Sequence, residues 1–583
     1  MPAHLMGLAL GPVQDFIAAA RRTRDLWFGS RLLSDIGKAA AKALEAKHAT
    51  LIFPAPSTFE TDAGVANVIL AKLPEALSPA EARATARNAA IARWEEYARD
   101  VRDIVREVID TQVWDEQVGD VVESYAAAVP LESDAQYAQA RRRVMRLLAG
   151  RKACRDFQLA KGRRLPKSSL DGRRETVLRR RNAGDPLLEA AYACVQKRMR
   201  LNPGEQLDAV GVVKRLAGGL HAAYPSVSRM AADPWLRGVA ERDPNALEEL
   251  KGICGGLALT RVDRQRYPEF PFEGTAVYRR RLPELEKETG EPRGTYAAVD
   301  GAVRRLEKEK GFGEPDPYLA ILAADGDGMG AAISAIGDEP GHRNFSGLLA
   351  EFAGEARGTV ELHRGTLVYS GGDDVLAFLP VDKCLACARE LHDRFAELLK
   401  EFVGPPTLSV GIAIGHFMEP LEDLLDFARE AERDAKRPDR DGLAVHVHTR
   451  GGSPLAVRAR WREAMDGQLS TLAEMHARNR IPDKAAYDLR ELANAYTSWP
   501  RSSDEDKAAL DEAIRADVEL LLKRKRVTDP NVRATLFEAA EIEGKWTDQG
   551  VRQMADRVIV ARRIHASRRQ AERAADRPQG VLA

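Results

Sequence analysis

The order of β-prone and helical segments between residues 318 and 414 is the strongest constraint on the fold. An apolar run at 318–324 predicts a buried strand, and a helical pattern covers 345–358. Two β-prone segments, 366–369 and 375–379, flank a tight turn. A second helical pattern at 386–402 leads to a β-prone segment at 408–414. This βαββαβ order predicts a ferredoxin-like domain with a four-stranded sheet.

The turn between the two central strands carries paired carboxylates. It reads Ser370, Gly371, Gly372, Asp373 and Asp374, and its glycines allow a sharp bend and close approach of the backbone to a ligand. By itself this pattern is equally consistent with an ordinary hairpin turn. A second acidic pair, Asp325 and Asp327, follows the strand predicted at 318–324 and strengthens the functional interpretation.

These carboxylates predict a metal site for phosphoryl or nucleotidyl transfer. Asp325 at a strand end and Asp373 and Asp374 at the hairpin tip can converge on one point. Clustered carboxylates repel one another, and divalent cations compensate that repulsion most simply. Mg²⁺ prefers oxygen ligands and binds through a few carboxylates together with substrate phosphates. Two such ions can stabilise the attacking and the leaving oxygen of a transfer reaction.

The N-terminal part of the chain repeats the same segment order. Strands are predicted at 5–10, 50–53, 65–70 and around 121–125, and a long helix opens with Ser78 and Pro79. At the position of the acidic hairpin, this copy has Pro-Ala-Pro at 54–56. We therefore predict an α+β protein with two ferredoxin-like domains, one catalytic and one structural.

Composition limits the possible partners and location. The chain has 583 residues, and its 88 Lys and Arg balance 88 Asp and Glu. Global charge therefore does not indicate nucleic-acid binding, so such a surface must be a local patch. No apolar run reaches the roughly 18 residues of a membrane span, and the N-terminus lacks a signal-peptide pattern. We expect a cytoplasmic protein without a membrane partner.

One local patch is a candidate for RNA binding. Residues 151–181 contain 12 Lys or Arg and three acidic residues. Such a cluster on a neutral chain is a candidate phosphate-binding surface, and we select Lys167, Arg173 and Arg174. A solvated charged face is the equally weighted alternative.

Several motifs together carry a resemblance to a known family. The strand–Asp-Gly-Asp–helix unit followed by the Gly-Gly-Asp-Asp hairpin resembles the palm domain of nucleotidyl cyclases and polymerases. The N-terminal Gly-Pro-Val-Gln-Asp-Phe-Ile and Arg-Thr-Arg-Asp-Leu-Trp motifs, with those at 166–172 and 204–210, resemble the large palm-domain subunit of type III-B CRISPR effector complexes. A stand-alone diguanylate cyclase has neither the first palm nor these linking motifs.

This resemblance implies an activity, cofactors and partners. The subunit would convert ATP to cyclic oligoadenylate when guide crRNA pairs with target RNA, within a complex of other type III-B subunits. Asp325, Asp373, Asp374 and the Gly326 carbonyl would hold two Mg²⁺ or Mn²⁺ ions. Ser370, Gly371, Gly372, Asp327 and Lys436 would contact the nucleotide. Two alternatives stay open: joining ATP to S-adenosylmethionine, or a silent scaffold that holds guide and target RNA.

The resemblance also organises the chain into four regions. These are a first, inactive palm at 1–135, a mainly helical linking domain at 136–310, a second palm at 311–450 and a C-terminal helical domain at 451–583. Related subunits carry a four-cysteine zinc site in the linking domain, but Cys154 has no partner two residues on, so we predict a degenerate region without zinc. Because the palm begins at residue 5, we expect no N-terminal HD-type nuclease domain, and His392-Asp393 lies within a predicted palm helix.

Overall fold

The computed structural model describes residues 3–60, 64, 67–154, 162–181, 184–202, 204–221, 224–257, 259–500, 502–542 and 545–572. Within them it confirms the predicted α+β class. The basic segment at 151–181 is described except for residues 155–161, and the predicted strand at 65–70 is described from residue 67.

The first sheet has ferredoxin-like topology. Its strands run antiparallel in the order β2-β3-β1-β4. Ser78 caps the long helix as its sequence predicts, since its hydroxyl accepts a hydrogen bond of 3.2 Å from the Glu81 N–H. The elements of this region are β1 (Ala3–Gly11), α1 (Gln14–Ala18), α2 (Thr23–Glu45), β2 (Thr50–Phe53), β3 (Val68–Leu73), α3 (Pro79–Val105), α4 (Thr111–Val118) and β4 (Glu123–Leu131).

The linking region divides between the two palms. Tyr137 and Val144 of α5 pack against Leu5 and Val129 of the first sheet, so this helix covers a face of that sheet. Helix α7 packs into the main core of the same palm, whereas α8 to α11 form a core with one face of the second sheet. The helices are α5 (Tyr137–Ala153), α6 (Pro186–Met199), α7 (Ala209–His221), α8 (Val227–Arg242), α9 (Pro244–Gly255), α10 (Leu282–Thr289) and α11 (Ala297–Arg304).

The second sheet contains the predicted acidic hairpin. Its order, β10-β9-β8-β5-β7-β6, has the ferredoxin-like arrangement in its four strands β5 to β8. The elements are β5 (Tyr318–Asp327), α12 (Met329–Ala335), α13 (Glu339–Leu362), β6 (Thr366–Ser370), β7 (Val375–Leu379), α14 (Cys384–Leu399), β8 (Thr407–His416), α15 (Leu421–Lys436), β9 (Gly442–Val447) and β10 (Leu455–Arg460).

Burial on both faces explains the continuous apolar run of β5. Leu322 and Ala324 face a core built with α13 and α14, whereas Ile321 and Ala323 face the core built with the linking helices. A strand covered on both sides needs apolar residues at every position, so it lacks the alternation of a half-exposed strand. This arrangement fixes Asp325 at the polar end of an otherwise buried strand.

The second sheet continues past the boundary predicted at residue 450. Strand β10 pairs antiparallel with β9, with Val457 opposite Val445. Its alternating arginines, Arg458 and Arg460, lie within ion-pair distance of Asp439 and reduce the apolar signal of the strand. The predicted C-terminal helical region therefore begins with a palm strand.

The remaining C-terminal region is mainly helical. Helix α20 contacts α16 and α17 and also reaches the linking region, where a side chain at Gly238 would clash with the Gln570 carbonyl. Within the part of the chain that the structure describes, no helix is long and apolar enough to span a membrane. The elements are α16 (Met465–Ala477), α17 (Asp483–Tyr496), α18 (Asp504–Arg524), α19 (Pro530–Ala540), β11 (Glu541–Ile542), β12 (Lys545–Trp546) and α20 (Asp548–Ala571).

Candidate active site

The hairpin between β6 and β7 has a backbone that only glycine accommodates. The Gly371 N–H donates a 3.0 Å hydrogen bond to the Asp374 carbonyl, which closes the turn. Gly372 has a φ of +91°, a value that side chains disfavour. A Cβ at Gly371 would clash with the Tyr369 ring. The two glycines thus present Asp373 and Asp374 at the end of a tightly packed turn.

The end of β5 lies directly against this turn. β5 pairs with β7, with Ala324 opposite Val375. A Cβ built on Gly326 would lie 2.8 Å from the Asp373 Cβ and 2.9 Å from its Oδ2, so only glycine lets the two elements approach this closely. The predicted convergence of Asp325, Gly326 and the hairpin carboxylates is therefore present in the fold.

Crowding of the carboxylates changes their proton affinity. Burial and then the nearby Asp325 charge raise the pKa of Asp373 to about 6. Burial, a hydrogen bond with Asp325 and the two neighbouring carboxylates raise the pKa of Asp374 to about 9. Burial acts to raise the pKa of Asp325 as well, but the hydrogen bonds from Asp374 and Lys436 lower it overall. The hydrogen-bonded pair of Asp325 and Asp374 therefore disfavours simultaneous ionisation of both carboxyl groups.

Lys436 at the end of α15 compensates part of this negative charge. Its ammonium group contacts Asp325 and lies 2.9 Å from Glu432, one turn earlier on the same helix. The predicted position of Lys436 beside the reacting centre is therefore consistent with the structure. Its interaction with a phosphate group stays a prediction.

The donor chemistry of this site fits hard divalent cations. Asp325, Asp373, Asp374 and the Gly326 carbonyl would provide oxygen ligands, and a cation would relieve the repulsion that raises the pKa of Asp373 and Asp374. Among the described residues, however, no group of three or more His, Cys, Asp or Glu is already arranged around a common metal position. A bound cation would be held by Asp325, Asp373, Asp374 and the Gly326 carbonyl, and it would replace Lys436 as the compensating charge at Asp325.

Asp327 lies in a different environment from Asp325. Its side chain is buried, with 5% relative exposure. Its Oδ2 accepts hydrogen bonds from the Thr407 hydroxyl at 3.0 Å, the Ser409 hydroxyl at 2.6 Å and the Asp441 N–H at 3.0 Å. Asp327 therefore connects β5 to β8 and to the segment before β9, and it does not line the cleft in front of the hairpin.

We expect Asp327→Ala to destabilise the second palm by about 2–4 kcal/mol, because one buried donor, Ser409, and two half-buried donors, Thr407 and the Asp441 N–H, would lose their acceptor. Thermal unfolding would show a lower midpoint, with a smaller effect for Asp327→Asn, which retains an acceptor oxygen. Asp325→Ala is the matched control, since it removes an aspartate two residues away without orphaning these donors. Equal midpoints for Asp325→Ala and Asp327→Ala would contradict this structural role.

A cleft of about 740 Å³ lies between the two palms and includes Asp374. The second palm contributes the end of the acidic hairpin and Arg429 and Glu432 of α15. The first palm contributes the end of β1 and the start of α1, including Gly11 and Asp15. Contact between the palms continues behind the hairpin, where a side chain at Gly64 would clash with the Ser370 carbonyl. The volume is sufficient for nucleotide-sized ligands.

The linking segment supplies a third wall of this cleft. Arg173 and Arg174 line it, and the Arg173 guanidinium lies 2.5 Å from Asp15 of the first palm. Arg174 donates hydrogen bonds to the Gln117 and Asp120 carbonyls. Lys167 lies outside the cleft lining and donates to the Arg173 carbonyl at 3.4 Å. The residues selected for RNA binding are thus divided between the cleft and the exposed surface.

Our sequence analysis missed several residues of this cleft. Arg429 and Glu432 share a face of α15 with Lys436, at spacings of three and four residues, and this helical periodicity could have indicated them. Lys214 could not be found in this way. It is fully buried, its ammonium donates to the Ala19 carbonyl at 2.9 Å, and burial lowers its pKa to about 8.

His392 has a structural environment. Its ring stacks on Trp461 with centroids 4.5 Å apart, and its nitrogens lie 2.9 Å from Asp393 and 3.1 Å from Asp441. These contacts fix helix α14 against the start of the C-terminal region. They place this His-Asp pair on the helical side of the second palm.

Two family models match the chain. Residues 318–444 match the second palm domain of Cas10/Cmr2, and residues 5–113 match the N-terminal region of the CRISPR-associated protein Cmr2. A curated relative, the CRISPR system Cmr subunit Cmr2 of Pyrococcus furiosus, is 35% identical over 241 residues. Two separate regions of this chain are therefore similar to Cas10/Cmr2 proteins. The match covers 36% of this chain and 26% of the relative, so it spans about a quarter of the relative's length.

Two solved structures share the fold of this chain. The type III-B Cmr-beta complex in its apo state has a chain with a TM-score of 0.64 and 14% identity, covering 91% of this chain and 78% of that one. The same complex bound to cognate target RNA gives a TM-score of 0.65 and 14% identity, with 90% and 78% coverage. At this identity the similarity concerns the fold. It extends beyond the two palms to nearly the whole chain.

Proposed function

We propose that the second palm of this protein is a nucleotidyltransferase that converts ATP to cyclic oligoadenylate. The observation that carries the proposal is the convergence of Asp325 and Asp373 with Asp374, which lines the cleft between the palms. A purely structural domain has no need of three crowded carboxylates, which disfavour the metal-free fold near neutral pH. The reaction would join the ribose 3′-oxygen of one ATP to the α-phosphorus of another and release pyrophosphate.

The residues of the cleft have distinct proposed roles. Asp325, Asp373, Asp374 and the Gly326 carbonyl would hold two Mg²⁺ or Mn²⁺ ions. When bound, these ions would favour deprotonation of the 3′-hydroxyl and stabilise the charge on the reacting phosphate. Lys436, freed from Asp325, would be available to a phosphate oxygen. The backbone at Ser370, Gly371 and Gly372 would lie close to the nucleotide, and Asp327 would act indirectly by holding β5 in place.

The first palm would complete the binding site for the second nucleotide. Joining two ATP molecules requires one acceptor and one donor, and the carboxylates of the second palm serve only the reacting centre between them. The end of β1 and the start of α1 line the same cleft, so Gly11 and Asp15 are close enough to contribute. A structure with an ATP analogue tests this proposal. Two nucleotides bound wholly within residues 314–450 would contradict it.

We further propose that the chain works within a type III-B CRISPR effector, in the cytoplasm, with other effector subunits, guide crRNA and target RNA. The support is the match of two regions to Cas10/Cmr2 family models and the fold shared with a chain of the Cmr-beta complex bound to cognate target RNA. A catalytically silent scaffold and a palm that joins ATP to S-adenosylmethionine are the alternatives. The test is to incubate the assembled complex with ATP, Mg²⁺ and target RNA, with and without S-adenosylmethionine, and to resolve the products by mass.

The residues predicted to bind RNA permit a test that distinguishes the role of the cleft from that of the exposed surface. Lys167→Gln should weaken guide-RNA binding and reduce the log–log salt slope by about one, with an unchanged KM for ATP. Arg173→Gln should also raise the KM for ATP, because this side chain lines the cleft. Binding measured across a salt series, together with steady-state kinetics, checks both effects. Unchanged slopes in both variants would leave this segment as a solvated charged face.

Stability measurements without metal test the crowding of the carboxylates. Asp373 and Asp374 have raised pKa values in the fold, about 6 and about 9, so their stabilising contribution is complete below the unfolded carboxyl pKa of about 3.9 and is lost as pH rises through 6 to 9. We therefore expect chelator-treated protein to lose stability over this range. The free energy of unfolding of Asp374→Asn should fall less than that of the unmodified protein, with a difference of about 1 kcal/mol or more at pH 9.

Addition of Mg²⁺ should reverse this loss in the unmodified protein, because a ligand that binds only the folded state stabilises it. Asp374→Asn should respond less to Mg²⁺. Thermal unfolding at pH 6, 7.5 and 9, with chelator or with millimolar Mg²⁺, provides the comparison. Identical pH profiles for both proteins in chelator would show that Asp374 is not held in its protonated form.

A further inference from the structure

A second large cavity, of about 630 Å³, lies where the first palm, the linking region and the second palm meet. Several of the residues that line it are arginines from separate segments of the chain. We call it the arginine cavity and define it by Arg21, Arg22, Arg24, Arg198, Arg200 and Arg261. Among the described residues, it shares no lining residue with the cleft at Asp374.

Seven arginines line the cavity, and the six that define it lack a close carboxylate partner. Within the described residues, none of the six lies within 4.0 Å of an Asp or Glu oxygen, whereas the seventh, Arg281, pairs with Glu284. Three glutamates also line the cavity, but Glu273 accepts hydrogen bonds from Ser226, Glu419 pairs with Arg450 at 3.3 Å, and Glu288 is exposed. The positive charge of the cavity is therefore not compensated by an ion pair.

Burial makes the charge of two of these arginines, Arg22 and Arg24, unfavourable, whereas Arg21, Arg198 and Arg261 are exposed. Burial, followed by repulsion from Arg200, lowers the pKa of Arg24 to about 10, although the nearby Asp25 charge opposes this shift. Burial and the charge of Arg215 lower the pKa of Arg22 against the opposing charge of Glu288. Guanidinium groups that are concentrated in a partly desolvated cavity are stabilised when an anion binds between them. The cavity thus has the electrostatics of an anion-binding site.

Helix ends add to the positive potential. Helix α2 starts beside the cavity with Arg22 as its N-cap and no side-chain cap, and α15 starts beside it with Pro420 as its N-cap and no side-chain cap. The N-terminus of α8, capped by Ser226, is a third helix start at the same place. Uncapped N–H groups and the helix dipole favour bound phosphate oxygens.

Apolar side chains give the cavity a surface for a base. Tyr224, Phe417 and Met418 line it together with the arginines. Tyr224 is held in place because its ring stacks on Trp27 at 5.0 Å and its hydroxyl donates to the Leu367 carbonyl at 2.7 Å. A phosphate site beside rigid aromatic side chains suits a nucleotide unit better than a simple inorganic anion.

We propose that the arginine cavity binds nucleotide phosphates at a site separate from the reacting carboxylates. The phosphates would belong either to a free nucleotide or to an RNA strand, since both present the same oxygens beside a base. The volume accommodates one nucleotide unit. This assignment does not depend on the proposed nucleotidyl transfer.

Equilibrium binding of pyrophosphate to the full chain, in chelator so that the carboxylate site is without metal, tests the proposal. We expect Arg24→Gln combined with Arg198→Gln to weaken binding at least tenfold. Arg515→Gln is the matched control, because it removes an exposed arginine from α18. It should bind pyrophosphate as the unmodified protein does. Equal binding by the double variant and by Arg515→Gln would overturn the assignment.

Competition distinguishes the source of the phosphate. ATP and a single-stranded RNA decamer without terminal phosphates are each titrated against bound pyrophosphate. Displacement by RNA assigns backbone phosphates, and displacement by ATP alone assigns a free nucleotide. Displacement by neither would show a site for small inorganic anions only and would overturn the proposal. If Arg24→Gln does not fold, the exposed pair Arg198→Gln and Arg261→Gln provides the same test, with an expected loss of at least threefold.

Discussion

Replacement of both Asp373 and Asp374 by Ala should abolish nucleotide product. The rate should fall at least about 1,000-fold, the size of loss that follows removal of a group that stabilises charge in the transition state. Both side chains lie at the tip of the hairpin beside Asp325, and removal of two carboxylates leaves too few oxygen ligands for two cations. Product formed from ATP, Mg²⁺ and target RNA, resolved by mass, measures the effect. Assembly with guide RNA and partner subunits should persist, because neither side chain belongs to a core.

Asp393→Ala is a suitable control for this double variant. It removes a 58% exposed carboxylate from α14 of the same palm, away from the hairpin. Its product yield should equal that of the unmodified protein. If the double variant loses assembly or solubility instead, the hairpin carboxylates are structural. If it retains full product formation, the reaction takes place elsewhere in the complex.

Arg215→Met should be the most destabilising single substitution, at about 3–5 kcal/mol. The Arg215 guanidinium is fully buried and binds Asp25 of α2 at 2.7 Å and Glu205 of the linking segment at 3.1 Å. Its removal leaves two buried carboxylates without a cation. The charge network joins the first palm to the linking motif at 204–210, so the loss should be greatest in α2 and α7.

Hydrogen exchange of α2 and α7, together with the thermal midpoint, provides the measurement, because a chain with several domains need not unfold in two states. Arg515→Gln breaks only the exposed pair with Glu519, at 3.5 Å, and should cost less than about 1 kcal/mol. Arg215→Lys, which keeps the charge without the planar fork, should fall between the two. A midpoint for Arg215→Met equal to that of Arg515→Gln would contradict the role of the buried network.

The sequence determined the features that depend on local physics. Periodicity predicted the strands and helices of both palms, and α15 begins and ends where its amphipathic pattern does. The hairpin at Gly371 and Gly372 was predicted because two adjacent glycines between β-prone segments are typical of a tight turn. Asp325, Asp373 and Asp374 were brought together in the prediction because βαββαβ topology places the end of the first strand beside the central turn.

Tertiary packing alone decided which of two neighbouring residues of the same type is functional and which is structural. Asp325 and Asp327 both follow the same apolar run, but only the pairing of β5 with β8 surrounds Asp327 with Thr407, Ser409 and the Asp441 N–H. Strand β10 escaped prediction because Arg458 and Arg460 reduce its apolar signal. Their partner, Asp439, comes from the segment before β9 and is brought close only by the fold. The lining of the arginine cavity combines segments 403 residues apart, from Arg21 to Leu424. No local sequence pattern records such proximity, because it results from packing of the first palm, the linking region and the second palm against one another.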